Sequence, residues 1–212
     1  MRPGLRRTTR AGGLPGLGWA ALGSGELLWA RARSPAGGRP GHGRARRVHD
    51  GGVTAPARTS AGLLLHRRGP DGGTQVLLGH MGGPFWARKQ QGAWTIPKGE
   101  PLPGEDPHAT ALREFAEEVG LPAPAGTDTD LGEVRQRAGK VVRAWARAAD
   151  LDLSTPRGPV SEVTVDWPPR SGRTVTFPEI DDLRWWPLDE ARGVVVTAQA
   201  ELLDRLESHL AA

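Results

Sequence analysis

The chain has 212 residues, a formal net charge of +4 and 37% hydrophobic residues, enough for one domain of ordinary size with an appendage. It contains no cysteine, which excludes a disulfide framework, a thiolate metal site and a cysteine nucleophile, so any metal must be held by oxygen or imidazole. No apolar run approaches the roughly eighteen residues of a membrane span, so no membrane partner is expected.

Charge is unevenly spread. Residues 1 to 52 carry ten Arg against Glu26 and Asp50, a net of +8, which leaves −4 for residues 53 to 212. The basicity therefore belongs to the N-terminal stretch and says little about partners of the rest. Residues 1 to 56 are rich in Gly, Pro, Arg and Ala without sustained periodicity, a composition that buries too little surface to offset chain entropy. A disordered basic extension is the expectation. As a nucleic-acid arm it has only Trp19 and Trp29 for stacking and no recognisable module. A start placed too far upstream, with the native chain beginning near Val53, would also yield such a preface. Arg6-Arg7 and Ala30-Arg31-Ala32 imitate an export signal, but Gly and Pro interrupt the apolar part; a cytoplasmic location is expected.

From residue 57 onward the pattern is that of a folded domain. Ser60 to Arg67 and Thr74 to His80 read as strands joined by a Gly-Pro-Asp-Gly-Gly turn. A Gly-rich loop follows, in which aromatic and basic residues interleave. Arg88, Lys89 and Lys98 are candidates to meet phosphates, and Trp86 and Trp94, with Phe85, to stack on a base; ordinary packing is the alternative for each tryptophan. Asp106 before Pro107 is a good helix start and Gly120 a stop. Between them Ala111, Leu112, Phe115 and Val119 recur at helical spacing as a buried stripe. Asp130 to Arg137, Val141 to Ala148, Val160 to Trp167 and Leu183 to Trp186 read as further strands. Leu188 to Gly193 and Thr197 to His209 read as helices, the second capped by Thr197 with Leu202, Leu203, Leu206 and Leu210 at core spacing.

The helix ending at Gly120 leaves Glu114, Glu117 and Glu118 together on another face. Like charges at this spacing cost about 0.2 to 0.5 kcal/mol per pair, so a hard divalent cation held by carboxylate oxygens is the natural neutraliser.

Gly99, Glu105, Arg113, Glu114, Phe115, Glu117, Glu118, Gly120 and Leu121 stand at the spacing of a complete Nudix box, and the segment resembles that family with no departure from its pattern. Seven such residues coincide by chance on the order of once in 10^8 starts. Lys98, in Trp-Thr-Ile-Pro-Lys-Gly, lies in a lead-in similar to that of Nudix enzymes acting on dinucleoside polyphosphates. The stretches from Gly139 to Ala146 and from Trp167 to Glu179 resemble a bacterial subgroup of nucleotide pyrophosphohydrolases.

The resemblance implies an α/β fold, a Nudix-type α/β/α sandwich with a mixed β-sheet between helices, over residues 57 to 212. It implies hydrolysis of a pyrophosphate bond in a nucleotide with Mg2+, for which Mn2+ substitutes. Glu117, Glu118, Glu114 and the Gly99 carbonyl are then the metal ligands, with Glu114 alternatively the base. Arg113 pairs with Glu105 or orients Glu114. Glu179 matches a family carboxylate outside the box, with Glu162, Asp166, Asp181 and Asp182 as competitors. A nucleoside triphosphate or diadenosine polyphosphate is favoured over an ADP-ribose-type substrate, and a homodimer is common among relatives. The rival readings are a catalytically silent nucleotide sensor on the same scaffold and nucleic-acid binding through the arm.

Overall fold

The computed structural model describes residues 58–137 and 139–212; the expectations for residues 1 to 56 lie outside them. Strand β1 (Thr59–Arg68) is buried on both faces along most of its length, as a strand covered on both sides must be. Alternate residues go to opposite layers. Leu63 and Leu65 join Phe115, Ala111 and Val119 of helix α1 (Pro107–Val119), while Leu64 joins Leu202, Leu203 and Leu206 on the other face. Each such buried leucine contributes about 1.5 to 3 kcal/mol relative to exposure.

The main sheet has seven strands. β1 runs parallel to β6 (Val141–Ala148), and β5 (Asp128–Arg135) lies antiparallel beyond β6. On its other side β1 pairs with β2 (Thr74–Met81) only from His66 to Arg68, next to the turn. The two strands then part. β3 (Trp94–Thr95) fills the gap against β2, and β4 (Lys98–Gly99) fills it against β1. β7 (Glu162–Asp166) and β8 (Thr174–Pro178) form a separate hairpin, and β9 (Ile180–Pro187) returns along β2. Helices α2 (Leu188–Val194) and α3 (Ala200–Leu210) cover the face opposite α1. The arrangement is the expected α/β/α sandwich around a mixed sheet.

Three readings change. Thr197 does not cap α3: Thr197–Gln199 form a 3-10 turn first, and neither element has a side-chain cap. Leu210 is 45% exposed, beyond the core stripe of Leu202, Leu203 and Leu206. Thr174–Pro178, assigned to no element from the sequence, is strand β8, with Val175 and Phe177 half-buried between exposed Thr174 and Thr176.

Candidate active site

The β3–β4 segment and α1 meet where β1 and β2 part. Asp106 caps α1, its carboxylate accepting from the backbone N–H groups of His108 (2.9 Å) and Ala109 (3.1 Å), and Gly120 ends it at φ 76°. The cap and the buried stripe fix which way the glutamates point. Glu114 and Glu118 are turned inward, at 2% and 4% exposure, whereas Glu117 is exposed.

Arg113 organises the outer side. Its Nε and Nη2 donate to the two oxygens of Glu105, both at 2.8 Å, a bidentate pair of the strong, directional kind. Nη2 also donates to the Glu100 carbonyl, while Nη1 donates to Glu114 at 2.9 Å and Glu117 at 3.0 Å. Glu105 further accepts from the Leu102 N–H and the Thr110 hydroxyl. Arg113 above all holds the Glu105 carboxyl down to about 2. Arg113 thus touches both Glu105 and Glu114 with one side chain.

Inside, the Lys98 N–H donates to Glu118 Oε2 at 2.9 Å. Gly99 lies so close to Glu114 that a Cβ there would stand 1.9 Å from its carboxylate, so only glycine lets strand and carboxylate meet. Glu179, between β8 and β9, is 4% exposed. Its N–H donates to the Ser161 carbonyl, and the Ser161 N–H donates to the Glu117 carbonyl at the end of α1. This backbone relay brings Glu179 within hydrogen-bonding reach of Glu118. Burial, reinforced by Glu179 and opposed by Lys98, pushes the Glu118 carboxyl up to about 8, as desolvation of a charge requires.

Gly99 therefore lies against Glu114, and its neighbour Lys98 against Glu118, which in turn faces Glu179. The donors are all oxygens, the set a hard divalent cation takes. Among the described residues no three acidic or imidazole groups converge closely enough to hold an ion as they stand, and Glu117 is turned toward Arg113. The Glu117 side chain is 47% exposed.

The loop before β3 departs from expectation. Trp94 is 1% exposed, edge-on to His80 and Trp186, with its indole N–H donated to Gln90. Trp86 is 8% exposed in the same cluster. Both take the packing alternative, and the buried Trp94 leaves no ring face for a base. Arg88 and Lys89 are exposed, with the Lys89 Nζ 3.3 Å from the Phe85 ring centroid. Of the competitors of Glu179, Glu162, Asp166 and Asp182 are exposed, and Asp181 pairs with His80.

Two polar residues of the interior escaped the sequence. His80 lay at the end of an apolar strand, and Gln199 within a presumed helix, where neither has a local signature. Gln199 is fully buried, accepting from the Ile96 N–H and donating to the Thr95 hydroxyl, and so steadies the segment leading to Lys98.

Residues 56–206 match the family model described as the NUDIX domain. The chain belongs to the NUDIX family. A curated relative from Mycobacterium tuberculosis, carrying the provisional name 8-oxo-dGTP diphosphatase 3, is 44% identical over 77 residues, 36% of this chain and 34% of the relative. This chain thus aligns with about a third of that relative's length. Among solved structures, an Ap4A hydrolase binary complex from C. elegans superposes with a TM-score of 0.52 at 22% identity, over 73% of this chain and 98% of that one. The NUDIX domain of Shewanella oneidensis NrtR, complexed with ADP ribose, gives 0.50 at 16% identity over 76% and 94%. At these identities the two NUDIX-family structures speak for the shared fold.

Proposed function

We propose that this NUDIX domain hydrolyses a pyrophosphate bond in a nucleotide, with Mg2+ or Mn2+ as cofactor. The observation that carries the reading is the buried Glu118–Glu179 pair beside Gly99 and Lys98. Two carboxylates are kept together out of water at an energetic cost, and such perturbed acidic clusters mark functional sites.

Glu118, Glu114 and the Gly99 carbonyl, joined by Glu117 once it leaves Arg113, would hold the metal. A divalent ion bound there lowers the pKa of its water and neutralises phosphate oxygens. In hydrolysis the water oxygen bonds to phosphorus, the P–O bond of the anhydride breaks, and its electron pair leaves with the departing phosphate. The water's proton passes to a carboxylate, for which Glu114 and Glu179 are the candidates. Arg113, anchored on Glu105, keeps Glu114 in place.

Lys98, with Arg88 and Lys89 on the loop before it, favours a long polyphosphate such as a nucleoside triphosphate or a diadenosine polyphosphate. The name of the mycobacterial relative points to the triphosphate. A panel of nucleoside triphosphates, diadenosine polyphosphates and ADP-ribose, with Mg2+ in 18O water and products read by phosphorus NMR, tests both the activity and the substrate class. Turnover of a triphosphate or diadenosine polyphosphate is the expected result; turnover of ADP-ribose alone would overturn the substrate assignment.

A further inference from the structure

His80, the penultimate residue of β2, is 6% exposed and belongs to no part of the box. Its Nδ1 lies 2.7 Å from an oxygen of Asp181, and its Nε2 lies 2.9 Å from the Lys89 carbonyl oxygen. Both partners are acceptors, so the ring nitrogen is the donor in whichever of the two bonds is made. The two partners belong to the two elements flanking the site. Asp181 is two residues beyond Glu179, and Lys89 is in the basic loop before β3.

Other contacts join the same two elements. The Gly82 N–H donates to the Glu179 carbonyl at 2.9 Å. A Cβ on Gly82 would lie 2.0 Å from the Pro178 carbonyl oxygen, and one on Gly83 2.4 Å from the Phe177 ring, so the start of the loop is seated directly on the strand leading to Glu179. That seat fixes only the near end. At the far end, where Lys89 and Arg88 stand exposed, His80 meets the Lys89 carbonyl, and the neighbouring Gln90 side chain accepts from the Trp94 indole N–H. Trp94 packs edge-on against the ring at 5.2 Å and keeps it from turning.

We infer that His80 is a positioning residue that locks the basic Gly82–Gln91 loop to the segment carrying Glu179, so that the cationic end of the loop and the carboxylate keep a fixed separation. His80 is itself buried and bonded to protein groups on both ring nitrogens. It acts through Lys89 on substrate binding and through Asp181 on the setting of Glu179. The effect on turnover rests on the proposed hydrolase reading; the coupling itself does not.

Two near-isosteric variants separate the links, because an Asn amide nitrogen falls near the position of Nδ1 and a Gln amide nitrogen near that of Nε2. His80→Asn keeps Asp181 and releases Lys89; His80→Gln keeps Lys89 and releases Asp181. Hydrogen exchange on the metal-free full chain should show faster exchange across residues 85 to 92 in His80→Asn, with α1 unchanged, and little change there in His80→Gln. In steady-state assays His80→Asn should raise KM about five- to tenfold, the loss of about one hydrogen bond, with kcat held, whereas His80→Gln should lower kcat with KM held. Unchanged exchange in the loop of His80→Asn would overturn the inference whether or not the chain hydrolyses nucleotides. So would equal exchange increases throughout the domain in both variants, which would mark His80 as a packing residue only. If exchange behaves as stated and no nucleotide is turned over, the coupling stands and the hydrolase reading fails.

Discussion

Glu118 of α1 and Glu179 of the β8–β9 connection are 61 positions apart in sequence, yet their carboxylates face each other, each 4% exposed. Burial, reinforced by the facing Glu179, raises the Glu118 carboxyl to about 8 from an ordinary 4.5. A carboxyl whose folded-state value is raised stabilises the fold below its unfolded value and loses that contribution as pH rises through the folded one. Metal-free protein should therefore lose thermal stability between about pH 4.5 and pH 8. Glu118→Gln should flatten that decline, as differential scanning calorimetry in EDTA would record.

Divalent ion should reverse the same penalty. Adding Mg2+ at pH 8 is expected to raise the Tm of the wild-type chain, by mass action on the folded state, and to raise that of Glu118→Gln much less. Activity should vanish in EDTA and return with Mg2+ or Mn2+. Equal Mg2+ shifts in the two proteins would remove Glu118 from the ligand set.

The clamp between Arg113 and Glu105 acts at one remove from the proposed chemistry. Glu105→Gln keeps the shape but loses the charge, and should lower kcat roughly 10- to 100-fold, the range for supports of metal ligands. Because the Glu105 carboxyl is depressed to about 2, its contribution is complete above the ordinary value of 4.5 and is lost as pH falls toward 2. Acid titration should show the wild type more stable than the variant above about pH 4.5, with the gap closing as pH falls toward 2.

Trp94 is expected to serve the core. Trp94→Ala should cost about 3 to 5 kcal/mol in urea unfolding, and Trp94→Phe much less, with KM for nucleotide unchanged in the folded Phe variant. A selective rise in KM would return Trp94 to the substrate site.

Asp128 holds buried Arg147 through two bonds, at 2.7 and 2.6 Å, and also meets His108 near the start of α1. These partners hold the Asp128 carboxyl below its ordinary value against the opposing effect of burial. Asp128→Asn leaves the guanidinium half-answered and should destabilise by about 2 to 4 kcal/mol, measurable by denaturant titration.

The parts of this architecture legible in the sequence are those set by near neighbours along the chain. The Asp106 cap, the Ala111–Phe115–Val119 stripe and the Gly120 stop each depend on residues within a few turns of one another, so α1 could be delimited before any coordinates. The two-residue strands β3 and β4 could not, since they exist only because β1 and β2 diverge and leave edges to be filled. Trp94 invited a stacking role because a Gly-rich loop reads as surface; long-range packing against Trp186 and His80 decided otherwise. Glu179 was singled out by resemblance alone, as no local pattern separates it from Asp181 and Asp182. What separates them is the backbone relay through Ser161 to Glu117.

The most direct test is a comparison of the wild-type chain, Glu118→Gln and Glu179→Gln on a nucleoside triphosphate and a diadenosine polyphosphate, with Mg2+ in 18O water, each variant first shown folded by circular dichroism. The account predicts one 18O per cleavage in a phosphate product from the wild type, and losses in kcat of roughly 100-fold or more in Glu118→Gln, where a proposed metal ligand is removed. Glu179→Gln should also be slowed. Wild-type protein that cleaves neither substrate class, or a folded Glu118→Gln that turns over at close to the wild-type rate, would contradict it.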